Sequence, residues 1–171
     1  AGTTQLKVES YIEPANAAAS LTLKLIMSDV VRLDPAGQQA EYFSDAERYF
    51  FDSLSVHTSV AMLNYGDRHG NFVMVKRQSH GGLDTKLIYR PLDSEIGSNP
   101  DRLLWKHRRE GQPLEQFQSD ETPDATPYDP RTRPWYTPWT EDDPENPGFK
   151  RFQSRPNDVL WTDVYLFSSD K

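Results

Sequence analysis

The residues best suited to recognising a charged ligand are concentrated in Tyr128-Asp129-Pro130-Arg131-Thr132-Arg133-Pro134-Trp135-Tyr136. Asp129-Pro130 favours a turn, because the residue before a proline is pushed out of the helical region. Pro134 at a first helical position starts a short helix, with Trp135 and Tyr136 in its first turn. Arg133 then stands at that helix's N-terminus, where free amides and the helix dipole favour an anion. A guanidinium fork, helix amides and flanking aromatic rings suit a carboxylate. The same residues also permit a plainer role, an arginine stacked on tryptophan and paired with Asp129 that pins a loop to a sheet.

Other reactive side chains are less organised. His57, His69, His80 and His107 show neither an i, i+4 pair nor a His-Glu-x-x-His pattern, so no metal site is expected and each reads as a surface or hairpin residue. Glu141-Asp142-Asp143-Pro144-Glu145-Asn146 lacks the alternating ligands and turn glycine of a calcium loop and reads as a solvated acidic stretch. Neither a Gly-x-Ser-x-Gly nucleophile turn nor a phosphate loop occurs, so no catalytic residue and no cofactor is assigned. Lys76, Arg77 and Lys86 fall on expected strands, where alternation sends them to solvent.

The elements that must position the segment are legible from periodicity. Residues 5–33 carry Leu6, Ile12, Ala17, Leu21, Leu25 and Ile26 near helical spacing, and Pro14 should kink this helix or mark its first solid turn. Asp34-Pro35-Ala36-Gly37 ends it. Ser44-Asp45-Ala46-Glu47 reads as a capping box opening a second helix, with Tyr42 and Phe43 as a hydrophobic staple. From Val60 the period falls to two. Val60–Tyr65, Asn71–Arg77 and Leu83–Tyr89 read as strands joined by glycine turns, with Leu103–Lys106 as a fourth. Residues 120–147 hold seven of the thirteen prolines and eight acidic residues, and read as a long surface loop. Trp161–Phe167 reads as a further strand.

Composition narrows the function. The chain of 171 residues has a net charge of −7, which argues against a nucleic-acid partner. Its four Trp, eight Tyr and eight Phe argue for a packed body. With no cysteine, there is no disulfide scaffold. No apolar run approaches the ~20 residues of a membrane span.

The nine-residue segment resembles the signature of double-Cache sensor domains, PAS-like extracellular modules of bacterial chemoreceptors, histidine kinases and nucleotide cyclases. The order of parts is similar too: a long helix, a capped helix, the hairpin Leu63-Asn64-Tyr65-Gly66-Asp67-Arg68-His69-Gly70-Asn71-Phe72, the signature, and the strand at Trp161-Thr162-Asp163-Val164-Tyr165. The resemblance implies an α+β fold, with a long N-terminal helix (residues 1–35) packed on the antiparallel sheet of a sensor module (residues 36–171). It implies the membrane-distal module of a double Cache domain, incomplete at its C-terminus. In members that bind amino acids, the second arginine and the tryptophan of the signature hold the carboxylate, and tyrosines with a later aspartate hold the amine. Carried over, Arg133 and Trp135 take the carboxylate, while Tyr128, Tyr136 and Tyr165 line the amine side. The aspartate falls beyond this sequence, and Asp163 does not replace it. Members continue the signature into a regular helix, whereas Pro138 breaks the helix here, so a small organic ligand other than an amino acid fits equally.

The resulting expectation is a periplasmic or extracellular ligand-binding module, not an enzyme. It would act as a homodimer in the intact receptor and be tied to the membrane only by anchor helices outside this sequence. The alternative is a carbohydrate- or partner-binding module using Trp135, Tyr136 and Trp139 as an exposed stacking platform. An enzyme would need a carboxylate pair or a histidine in a cleft with shifted proton affinity, and nothing in the sequence specifies one.

Overall fold

A computed structural model describes residues 2–28, 31, 44–121 and 128–154. Helix α1 (Gly2–Met27) and helix α2 (Ser44–Val56) precede five strands: β1 (Met62–Gly66), β2 (Phe72–Arg77), β3 (Leu83–Tyr89), β4 (Arg102–His107) and β5 (Gln118–Asp120). All pairings are antiparallel and the spatial order is sequential, β1-β2-β3-β4-β5. The expected α+β meander therefore forms, with a fifth strand that periodicity did not signal. Gln118-Ser119-Asp120 has no apolar residue to alternate, and only its pairing with β4 makes it a strand.

Helix α1 is continuous through Pro14, which lies in its interior instead of its first turn. Twenty-six residues at 1.5 Å each give a rod of about 39 Å. Its C-terminal half meets the body: Leu25 and Ile26 pack on the core, Ala18 is buried, and Thr22 Oγ1 donates to the Tyr49 hydroxyl at 3.3 Å. No helix among the described residues is long and apolar enough to cross a membrane. The expected helix end at residues 34–37, the staple at residues 42–43 and the strand at residues 161–167 lie outside the described residues.

One face of the sheet makes the main core. Val73, Val75, Leu83, Leu87, Tyr89 and Leu104 meet Ala46, Phe50, Phe51 and Leu54 of α2. Burial there includes charge. Glu47 accepts from Lys106 Nζ at 2.5 Å and from Arg108 at 2.9 Å, and Arg108 also donates to Thr85 Oγ1 and the Leu114 carbonyl. Glu47, expected to close a capping box, thus points into the core and joins α2 to β4. A carboxylate facing two cations in a dry layer is held more strongly there than at a solvated helix end.

Candidate functional site

The opposite face is built from alternate residues of the same strands. Strand register places Asn64, Met74, Lys86, Trp105 and Asp120 in one row, and Gly66, Phe72, Ile88 and Leu103 beside it. Phe72, Met74, Ile88 and Leu103 form a second apolar cluster with Tyr128, flanked by Met62, Trp105 and Trp135. Segment 128–136 therefore folds onto this face.

Two glycines allow that close approach. A Cβ at Gly66 would lie 2.7 Å from Pro130 Cβ and 3.0 Å from the Trp135 ring. Gly70, with φ of +85°, turns the β1–β2 hairpin under Arg90 and Arg131, where any Cβ would fall within 2.9 Å of both side chains. Asp67 braces this turn by accepting from the main-chain N–H groups of His69 and Asn71 and from the Asn71 amide.

The two arginines of the segment have different roles. Arg131 is a clamp. Its guanidinium donates to both oxygens of Asp129 and to the carbonyls of Ser94 and Glu95, and Asp129 also accepts from the Gly97 N–H at 2.9 Å. Burial alone would raise the Asp129 carboxyl, but the bonds from Arg131 and Gly97 outweigh it and hold the group below its usual range. Arg90 fastens the same loop by donating to the Tyr128 carbonyl at 3.0 Å. The plain role foreseen for an arginine paired with Asp129 belongs to Arg131.

Arg133 points elsewhere. Its guanidinium carbon lies 4.4 Å from the centre of the Tyr128 ring. Its Nε is buried with no hydrogen-bond partner among the described residues, and the same holds for Trp135 Nε1. Phe72 sits between the two rings, 4.8 Å from Tyr128 and 6.2 Å from Trp135. Lys86 completes the group. Expected in solvent, it is only 4% exposed, with its Nζ 5.0 Å from the Tyr128 and Trp105 rings alike. Both faces of β3 are covered, so alternation did not reveal which side was wet.

Other expectations change. A 3-10 turn spans Pro130–Thr132, and the helix starts at α3 (Thr137–Thr140), with Pro138 in its first turn instead of ending it. The amides of Tyr136 and Thr137 are bonded to the Arg133 carbonyl, so they do not form the anion cradle expected behind Pro134. Tyr136 is half-buried edge-on against Trp135, and burial with the negative charge of Asp67 raises its hydroxyl pKa. Trp135 and Tyr136, two of the three rings of the stacking-module alternative, thus meet at 80° and are half-buried instead of lying flat on one exposed face. The acidic stretch is not simply solvated either. Asp143 is buried and accepts from the Glu145 N–H, the Asn146 amide and the Ser154 hydroxyl, fastening the turn before α4 (Arg151–Ser154). Tyr165 and Asp163 lie outside the described residues.

One arrangement was not foreseen. Further along the same face an open cleft of about 460 Å³ is lined by His80, Asp84, His107, Arg109, Gln112 and Gln118, with Arg108 behind. Asp84 accepts from His107 Nδ1 at 2.8 Å, Gln78 Nε2 at 2.7 Å and the Arg108 N–H at 3.2 Å. The His107 ring stacks on Trp105, 8° from parallel. Asp84 and His107 are 23 positions apart, and only the β3–β4 pairing brings them together. This is a histidine in a cleft, yet the described lining includes no hydroxyl or thiol for such a pair to activate. The cleft is separate from Arg133, and the two are linked through Trp105, Lys86 and Tyr128. No family model, no curated protein and no solved structure matches this chain.

Proposed function

We propose that this chain is the ligand-sensing module of a bacterial transmembrane receptor, a Cache-type domain that binds a small carboxylate and catalyses nothing. The observation that carries the reading is that half-buried Arg133 and Trp135, on the aromatic side of the segment, have buried Nε and Nε1 donors with no hydrogen-bond partner among the described residues. Buried donors without partners are costly, and a ligand oxygen that reached either of them would remove that cost. The spacing of the signature Tyr128–Tyr136 supports the family reading, as does the order of two helices and an antiparallel sheet before it.

In this reading the ligand lies between the second sheet face and segment 128–136. Tyr128 and Lys86 stand beside Arg133, and Tyr136 braces Trp135. The carboxylate meets Arg133, and Lys86 adds positive potential from the sheet. Signalling requires only that the ligand prefer one arrangement of the segment against the sheet and of the sheet against α1. The module operates outside the inner membrane, as a dimer in the receptor.

The test is a thermal-melt screen of the purified domain against amino acids, mono- and dicarboxylates, purines and amines. A ligand at a hundred times its Kd adds about 2.7 kcal/mol of stability. The reading expects a carboxylate-bearing hit that Arg133→Ala abolishes while the unliganded melt is retained. A hit indifferent to Arg133→Ala, or hits only among amines, would defeat it.

A further inference from the structure

We propose that the cleft holding His80, His107 and Arg109 is a second binding site, for the carboxylate or phosphate group of a small polar ligand. The inference does not depend on the sensor reading. It starts from a contrast of charge. The chain as a whole carries −7, yet the cleft gathers two imidazoles, one guanidinium and two primary amides. Asp84 is the sole carboxylate among its described lining residues, and it already receives three hydrogen bonds, from Gln78, His107 and the Arg108 main chain. Its charge is thereby turned to holding the cleft together.

Those bonds also orient the donors. With Nδ1–H donating to Asp84 and the ring stacked on Trp105, His107 turns Nε2 to the cleft, where it donates to an anion when the ring binds as the imidazolium that Asp84 pairs, and its side chain is 46% exposed. Gln112 is held by its Oε1, which accepts from the Arg109 N–H at 2.7 Å, so its amide NH2 remains for a guest. Gly82 keeps this side of the cleft open, since a Cβ there would lie 1.9 Å from the Arg108 carbonyl and 3.1 Å from His80 Nε2. Arg109 is exposed, and its fork matches an oxyanion in two-point geometry. No group of three histidine or carboxylate ligands fit to hold a metal occurs among the described residues, which favours an anion over a cation here.

The experiment is an amide-shift titration of the isotope-labelled full chain, run separately with inorganic phosphate and with citrate. The expected result is saturable shifts centred on Gly82, His107, Gln112 and Gln118, with at least tenfold weaker binding in Arg109→Gln and in His107→Asn. Whichever probe binds more tightly identifies the group as phosphate or carboxylate. Arg109 is exposed, so its variant keeps the fold, which unchanged shifts elsewhere verify. Shifts that never saturate, that scatter over all basic side chains, or that survive Arg109→Gln overturn the proposal. So does their loss in Arg133→Gln, since both probes would then be bound at the other end of the face.

Discussion

The two faces of the sheet use the same strands and treat charge in opposite ways. On the α2 side, most buried charge is paired: Glu47 meets Lys106 and Arg108, Arg108 has further acceptors in Thr85 and Leu114, and Arg77 donates to the Leu54 carbonyl although its own Nε has no partner among the described residues. On the other side, Arg133 and Trp135 present buried donors without partners among the described residues, and His107 and Arg109 open onto a cleft. A satisfied polar network fixes one conformation, whereas an unsatisfied one is stabilised by whatever completes it. The first face carries the larger closed ion network, and it is the second that leaves Arg133, Trp135 and the cleft side chains to be tested for binding.

The sharpest way to break this contrast is Glu47→Ala. It strands two cations in the core, and the expected loss is about 3–5 kcal/mol in chemical denaturation. A loss below about 1 kcal/mol would mean that this face is no more closed than the other. Next comes alkaline pH. Burial, reinforced by the negative charge of Glu47, raises Tyr89 on the core side to about 12, against 10.0 for a free phenol. Its folded value exceeds its unfolded one, so the contribution is intact below pH 10 and is lost as pH climbs toward 12. The loss is about 2–3 kcal/mol, and a pH series of melts on Tyr89→Phe should recover part of it.

A smaller effect separates the two arginines. Arg131→Gln should cost about 2 kcal/mol by leaving buried Asp129 without its partner. Because the Asp129 carboxyl is held below its ordinary value, the clamp's contribution is present above about pH 4 and is lost as pH falls through the lowered value. The wild-type advantage over Arg131→Gln should therefore shrink in acid. Arg133→Gln should change the unliganded stability by no more than about 0.5 kcal/mol. Equal losses for the two arginines would erase the distinction between clamp and ligand contact.

Much of the scaffold could be read from the chain. Strands β1 to β4 follow from period-two runs bounded by Gly66, Gly70 and Gly81-Gly82, and α2 follows from its apolar stripe. What escaped depends on tertiary partners. The burial of Lys86 needs Trp105 and Tyr128 above it, and the Asp84–His107 pair exists only through strand register. The composition of the signature pointed to an anion contact beside a structural pin. Only the fold shows that Arg131 reaches Asp129, Ser94 and Glu95 while Arg133 stays on the aromatic side. The turn expected after Pro134 is present, closed by the bond from the Thr137 N–H to the Arg133 carbonyl, but regular helix is confined to Thr137–Thr140.

The stacked contact of Trp105 with His107 gives the molecule an optical reporter of its own. An indole parallel to an imidazole and 5.0 Å from an ammonium has an emission governed by those two neighbours. Occupation of either end of the face reaches that ring through one of them, through His107 from the cleft or through Lys86 from Tyr128 and Arg133. Comparing the emission of the wild type with that of Trp105→Phe, Trp135 being left in place, would therefore isolate what this ring reports from each end of the face, with no added dye.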